Sequence, residues 1–126
     1  MISPVVKADC PSTRRLILAN EPRMKDDPPP ADACQTMDEV RAGVDATDAA
    51  LVDLLVRRFA YMRAAARIKP DRESVRDEAR KAEVVEAVRS MAQERGLPAT
   101  ALGAIWGDLV EASIAYELTE WDRLKG

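Results

Sequence analysis

Two basic residues lie on the apolar face of a long helical segment, where the pattern otherwise places hydrophobic side chains. Arg58 and Lys69 continue a stripe that contains Leu51, Leu55 and Met62. At the pitch of an α-helix, their separation places them about 20° apart around the axis and about 16 Å apart along it. Two long cationic side chains that reach toward each other from one face would clamp a small anion between them.

Other polar residues also fall on faces that the periodicity marks as inward. Ser113 and Glu117 are one helical turn apart in the third helical segment, so they lie one above the other. Asp77 and Arg80 are neighbours on one face of the second segment. Arg41 lies beside apolar positions near the start of the first segment.

Each of these residues also has an ordinary structural explanation. Arg58 could extend to solvent along the edge of the stripe, Lys69 could cap a helix end, and Arg80 could lie on a solvated face. A cluster of cations and polar groups is nevertheless costly to bury unless its members are paired or used. In an acidic protein, such a cluster indicates a site for a small polyanion, and a dicarboxylate suits it best.

The composition excludes several kinds of chemistry. The 126 residues contain no histidine, which rules out His-dependent nucleophiles and the common zinc sites, and we expect neither a metal nor a cofactor. The two cysteines, Cys10 and Cys34, read as incidental thiols. The net charge is −3 and no apolar run is long enough for a membrane span. We therefore expect a cytoplasmic protein without nucleic-acid or membrane partners.

Proline content separates an N-terminal tail from a helical domain. Residues 1–36 contain six of the eight prolines and no sustained period, which predicts a flexible tail. Residues 37–126 are predicted to form one domain, with three helices at about 37–68, 75–94 and 98–123. Pro70 marks the end of the first helix, Gly96 the end of the second, and Pro98 the first turn of the third. Ser74 is the expected N-cap of the second helix, with Asp77 completing a capping box.

The three helices predict an all-α bundle whose first helix is too long for its own chain. A helix of about 48 Å cannot bury its apolar stripe against two shorter helices alone, so its length predicts a helix that is shared between subunits. The residues expected to face inward are Val75, Ala79, Ala82, Val85, Val88 and Met91 on the second helix, and Leu102, Trp106, Leu109 and Val110 on the third.

Several stretches of the chain resemble the all-helical chorismate mutases. They are Met37-Asp-Glu-Val-Arg-Ala-Gly-Val-Asp-Ala-Thr-Asp, Leu54-Leu-Val-Arg-Arg-Phe, Ala64-Ala-Ala-Arg-Ile-Lys69 and Val75-Arg-Asp-Glu-Ala-Arg80. The similarity extends over about residues 37–122. It implies the three-helix fold of that family, with one long and two shorter helices in an intertwined helical homodimer. It also implies the rearrangement of chorismate to prephenate in the biosynthesis of phenylalanine and tyrosine, without a cofactor.

The resemblance also implies a role for each matching residue. Arg58 would bind a substrate carboxylate, and Lys69 would hydrogen-bond the ether oxygen and a carboxylate. Asp77 and Arg80 would contact the ring hydroxyl and help to order the site. Ser113 would touch the ring carboxylate.

Three further positions either serve the other subunit or depart from the family pattern. Arg41 would enter the site of the other subunit, and its distance of about 25 Å from Arg58 along one helix agrees with that role. Glu117 stands where many family members have Gln facing the ether oxygen, so it would need a proton to donate a hydrogen bond. Lys81 stands where many members have Glu, which changes the expected contact to the ring hydroxyl.

Two other functions fit the same helices. The isochorismate-pyruvate lyases, which give salicylate and pyruvate, share the implied fold, resemble the segments 57–61 and 113–121, and also lack Glu at the Lys81 position. The inward charges could instead form buried ion pairs that set the register of a non-catalytic dimeric binding module. The sequence leaves mutase and lyase open, and with them the role of the tail, any feedback regulation or partner enzyme, and the effect of Lys81 and Glu117 on specificity and pH profile.

Overall fold

The computed structural model describes residues 28–126, and these residues form helices and connecting turns without a β-strand. This confirms the predicted all-α class. The α-helices are α1 (Met37–Ile68), α2 (Glu78–Glu94) and α3 (Ala99–Lys125), and two single 3-10 turns lie at Ala31–Ala33 and Arg72–Ser74. Residues 1–27, which make up most of the predicted tail, lie outside the described part of the chain.

The long helix α1 has the bounds that the sequence predicts. It begins with a capping box: the amide of Glu39 donates to Thr36 Oγ1 at 3.1 Å, and the Glu39 carboxylate accepts from the amide of Thr36 at 3.3 Å. It ends at Ile68 because Pro70 cannot continue the helix and disfavours helical backbone at the residue before it.

The start of α2 differs from the prediction. Ser74 does not cap the helix, because it lies in the 3-10 turn, where its amide and hydroxyl both donate to Asp71 Oδ1, at 2.9 and 2.6 Å. Asp77 is the N-cap instead and accepts from the amide of Arg80 at 2.9 Å. The helix therefore begins at Glu78, three residues later than expected.

Helix α2 stops at Gly96, as predicted, with Arg95 as its C-cap and Gly96 the residue that follows. The φ of Gly96, 73°, is in the left-handed region, and the amide of Gly96 bonds to the carbonyl of Gln93 while that of Leu97 bonds to Ala92. This is the hydrogen-bond pattern of a Schellman motif. Pro98 then precedes α3 as its N-cap residue.

The hydrophobic core lies between α2 and α3. Val75, Val110 and Ile114 form its buried centre, and Val84, Leu118 and Trp121 pack around them. At Gly103 the two helices approach so closely that an added Cβ would lie 2.8 Å from Cγ of Arg89.

The inward face of α2 is shifted from the predicted one. Val88 is buried as predicted and Val85 is half-buried. Ala92, which was not predicted, is buried too, whereas Ala79, Ala82 and Met91 are exposed and were wrongly assigned to the core. The error follows from counting the helical period from Val75, which is buried but lies in the turn before the helix. On α3, Val110 is buried and the other predicted core positions, Leu102, Trp106 and Leu109, are half-buried.

The described residues divide into two units with their boundary in the sequence of α1: residues 28–48 belong to the first unit, and Ala49–Gly126 is the second. In the second unit, α1 leaves large apolar side chains exposed, among them Leu51, Val52, Val56 and Tyr61. In the first unit, Met37, Val40 and Val44 are exposed too. None of the helices in residues 28–126 has the length and apolar character of a membrane span.

Candidate anion-binding site

A cavity of about 370 Å³ lies within the second unit, between the end of α1, the turn that follows it, α2 and α3. Its apolar wall includes Met62, Val84, Val110 and Ile114. The structure brings almost all of the predicted polar residues to this cavity: Arg58, Lys69, Asp77, Arg80, Lys81, Ser113 and Glu117. They come from different helices, so the tertiary packing collects what the periodicity could only place on separate faces.

Arg58 is fixed by a neutral partner rather than by a carboxylate. Its Nη1 donates to Ser113 Oγ at 2.6 Å, and that hydroxyl donates onward to the Leu109 carbonyl at 2.7 Å. Burial lowers the pKa of Arg58 below its usual value, and the positive charge of Arg80 lowers it further. The guanidinium, which still keeps its charge, therefore presents a cation to the cavity, and no acidic side chain of residues 28–126 forms an ion pair with it.

Lys69 and Glu117 form an ion pair inside the cavity. Nζ of Lys69 lies 2.8 Å from Oε2 of Glu117, whose side chain is only 5% exposed. The contact lacks the alignment of a hydrogen bond, so Oε2 is a buried acceptor without a hydrogen-bond partner among the described residues. Nζ also donates to the Val75 carbonyl at 3.3 Å. Both charged ends are thus held in place and still have unused hydrogen-bonding capacity toward the cavity.

The backbone of Lys69 is held by the end of α3, a feature that the sequence analysis missed. Lys69 follows the last residue of α1, so its carbonyl has no helical partner. The indole Nε1 of Trp121 donates to that carbonyl at 3.3 Å, and Nζ of Lys125 donates to it as well. Nζ of Lys125 also lies 5.5 Å from the centre of the Trp121 ring, in a cation–π contact.

Asp77 and Arg80 lie at the N-terminal end of α2. One carboxylate oxygen of Asp77 caps the helix, so Asp77 holds the backbone that carries Arg80. The Arg80 guanidinium is 3.3 Å from Glu83, and both of these side chains are about two-thirds exposed. Arg80 therefore reaches the cavity from its solvent side, as a cation that is free to turn toward a ligand.

Lys81 is tied to a carboxylate on α3 that the sequence analysis did not identify. Its Nζ lies 2.6 Å from Oε2 of Glu111, and Glu111 is also bound by Arg76. These residues are 30 and 35 positions apart in the chain. No helical period links such positions, which explains why sequence reasoning named Lys81 without its partner.

Arg41 is the predicted site residue that does not line the cavity. It lies in the first unit, exposed, with Nη1 3.6 Å from Oδ1 of Asp38. The prediction that it enters the site of another subunit concerns a second chain and stays a prediction.

The charge of the cavity is opposite to that of the chain. Four cationic and two acidic side chains line it, while the whole chain carries −3. A site with this excess of positive charge and an apolar floor suits a small organic anion.

Fold and site together define a small all-α protein whose helices enclose a cationic cavity. Residues 40–118 match the chorismate mutase type II family. The match covers more than half of the chain, and the chain belongs to this family of enzymes. Among curated proteins, it is similar to the isochorismate pyruvate lyase of Pseudomonas aeruginosa, with 26% identity over 93 residues, which cover 74% of this chain and 92% of the lyase.

Proposed function

We propose that the protein is a chorismate mutase that rearranges chorismate to prephenate, the step that leads toward phenylalanine and tyrosine, in the cytoplasm. The observation that carries the proposal is the Lys69–Glu117 pair, 2.8 Å apart in a cavity that Arg58 also enters. Family membership supports it, since the family takes its name from this activity. Chorismate is a dicarboxylate, which matches the excess of cations in the cavity.

The reaction needs no nucleophile, metal or obligatory proton transfer, because it is a pericyclic rearrangement within one molecule. The enzyme must hold the substrate in a compact conformation, in which the bond-forming carbons meet. Arg58 would grip a carboxylate for this purpose. It is suited to the task because Ser113 fixes its direction without neutralising its charge.

Negative charge develops on the ether oxygen as the C–O bond breaks. Preorganised donors in a cavity with little water stabilise such charge most effectively. Lys69 would supply one donor, since its ammonium is positioned by Glu117 and by the Val75 carbonyl before any substrate arrives.

Glu117 would supply the second donor in its protonated form. In this structure its carboxylate is paired with Lys69. When a dicarboxylate substrate turns Lys69 toward itself, the Glu117 oxygen that has no hydrogen-bond partner would be left buried beside added negative charge. A proton on Glu117 would remove that repulsion and create a donor toward the ether oxygen.

The remaining residues would position the substrate. Arg80 would close on it from the solvent side, and Asp77 would hold the end of α2 and meet the ring hydroxyl. Ser113 would contact the ring carboxylate beside Arg58. Lys81 would take the place of the acidic residue that many family members have next to the ring hydroxyl.

A homodimer would complete each site. The apolar side chains that α1 exposes in a single chain need a partner surface, and Val52, Val56 and Phe59 line a shallow groove beside Tyr116. An intertwined pair of α1 helices would cover such side chains. It would also allow Arg41 of one chain to reach the cavity of the other.

A second activity is supported by a specific observation. The similar protein from Pseudomonas aeruginosa is named as an isochorismate pyruvate lyase, and Lys81 departs from the residue that many mutases carry. The alternative reaction would split isochorismate into salicylate and pyruvate in the same cavity. It would also be a concerted reaction that requires positioning and charge stabilisation rather than a nucleophile.

A product assay tests the proposal. Purified protein is given chorismate and, separately, isochorismate, and the products are separated by chromatography. We expect prephenate from chorismate, and loss of the reaction in Lys69→Ala. Salicylate and pyruvate from isochorismate, with chorismate left unchanged, would replace the mutase by the lyase. No turnover of either substrate would reject both enzymes.

A further inference from the structure

The carboxylate of Glu111 is the centre of an ion-pair network at the edge of the cavity. It lies 2.6 Å from Nζ of Lys81 through Oε2. Nη2 of Arg76 donates to Oε1 at 2.8 Å, and Nη1 donates to Oε2 at 3.1 Å. Lys81 lines the cavity, whereas Glu111 does not. Glu111 therefore holds a cavity residue from outside the cavity.

The network is electrically balanced. Hydrogen bonds from Arg76 and then from Lys81 lower the pKa of Glu111 to about 2, so it is ionised at any ordinary pH. Arg76 also meets Glu78 at 2.7 Å. Two cations and two carboxylates thus offset one another, and the charge of Lys81 is already compensated before a ligand enters.

Lys81 therefore differs from Arg58, another of the cationic donors in the cavity. The partner of Arg58 is the neutral hydroxyl of Ser113, so its charge is available to a carboxylate of the ligand. An ammonium group has three N–H donors. One N–H of Lys81 donates to Glu111, and the other two can donate to a ligand. Because the charge of Lys81 is already offset, the strength of those hydrogen bonds depends on their direction more than on net charge.

We propose that Glu111 is a positioning residue that makes Lys81 a directed hydrogen-bond donor for a neutral hydroxyl group of the substrate, rather than a counter-charge for its carboxylates. The inference rests on the proposed function. Chorismate and isochorismate carry their ring hydroxyl at different ring positions. The Glu111–Lys81 pair is then a determinant of which of the two substrates the cavity accepts.

The first test measures kcat and KM in Glu111→Gln, Lys81→Met and the double variant, on the substrate that the parent protein converts. We expect each single variant to lower kcat/KM about tenfold, the size of one lost hydrogen bond to a charged group. The loss should appear mainly as a higher KM, because the hydroxyl takes no part in the bond changes. If Glu111 acts through Lys81, the double variant is no worse than Lys81→Met alone.

Glu120→Gln is the matched control. Glu120 is also a carboxylate on α3 that is held by an arginine, with Nη2 of Arg123 at 2.9 Å, but it lies outside the cavity. We expect it to keep the kcat and KM of the parent. Circular dichroism of each variant shows that the helices are retained.

The second test uses a competitive inhibitor and its analogue in which hydrogen replaces the ring hydroxyl. The parent should prefer the hydroxylated inhibitor, and both Glu111→Gln and Lys81→Met should lose that preference. An equal loss of affinity for both inhibitors would overturn the inference, as would independent, multiplying effects of the two substitutions on kcat/KM.

The kinetic results distinguish failure of the proposed function from failure of the role of Glu111. A parent protein that converts neither chorismate nor isochorismate would reject the proposed function and this inference together. A parent that turns over one of them, with an unchanged KM in Glu111→Gln, would reject the role of Glu111 alone.

Discussion

Arg58 on α1 and Ser113 on α3 are joined by a hydrogen bond of 2.6 Å across the cavity wall. The bond connects residues 55 positions apart, and it fixes a guanidinium without offsetting its charge. The serine hydroxyl is in turn held by the Leu109 carbonyl. A neutral support of this kind keeps a cation both ordered and available, which an ion pair would not do.

Removal of either central cation should abolish turnover. Arg58→Ala and Lys69→Ala are each expected to lower kcat/KM by about a hundredfold or more, because each removes a preorganised charge contact to the substrate. Steady-state kinetics measure this loss. Arg57→Ala is the control, since Arg57 is an exposed neighbour on α1 that does not line the cavity. Rates near those of the parent in both cavity variants would remove the proposed site.

The protonation of Glu117 should be visible in the pH profile. If the acid form donates to the ether oxygen, kcat/KM of the parent is lower at high pH than at low pH. Glu117→Gln, whose amide donates at every pH, is insensitive to pH over the same range. The measurement is kcat/KM from about pH 5 to 9 in both proteins. A parent profile that is level across this range would contradict the role of Glu117 as a donor.

The anchor of the Lys69 backbone should affect the rate. Trp121→Phe removes the indole donor to the Lys69 carbonyl and keeps an aromatic ring in the core. We expect a several-fold lower kcat and a loss of about 1 kcal/mol in the free energy of unfolding. Trp106→Phe, on the same helix and also half-buried, is the control. Equal kcat values in the two variants would show that the anchor does not position Lys69.

The Glu111 network should make stability depend on acid. In the folded protein the pKa of Glu111 is about 2, below its ordinary value of 4.5. The contribution of this carboxylate to the free energy of unfolding is therefore complete above the ordinary value and is lost as pH falls toward 2. The parent should therefore have a higher Tm than Glu111→Gln near pH 6, and the difference should shrink between about pH 5 and 2. Thermal unfolding followed by circular dichroism tests this. A difference in Tm that stays constant with pH would assign the stabilisation to another cause.

Mixing two inactive variants should restore activity if Arg41 serves the other chain. Dimers of Arg41→Ala with Arg58→Ala would contain one intact site and one doubly altered site. Refolding an equal mixture should give about a quarter of the parent activity, because half of the dimers are mixed and half of their sites are intact. Light scattering reports the dimer. A mixture as inactive as its components would place Arg41 outside the site of the partner.

Local signals in the sequence predicted much of the fold. The change of pattern at Met37 predicted the start of α1, Pro70 predicted its end, and Gly96 predicted the end of α2. The start of α2 was missed because Ser74 and Asp77 are both good N-caps, and only the 3-10 turn shows that Asp71 already holds Ser74.

The residues of the candidate site were predictable only where the signal lies within one helix. Helical periodicity placed Arg58, Lys69 and Glu117 on inward faces because it concerns positions within one helix. It carried no information on how α2 and α3 lie against each other. Partners fixed by that packing, such as Glu111 for Lys81, could not be found in this way.

The hold of Trp121 and Lys125 on the Lys69 carbonyl has a practical consequence. The last turn of α3 belongs mechanically to the cavity, although it lies far from Lys69 in sequence. A fusion partner or affinity tag joined directly after α3 would disturb the hydrogen bonds to the Lys69 carbonyl, and a deletion beginning at Trp121 would remove them. Engineering of the protein should therefore leave this turn unaltered and add new segments before α1.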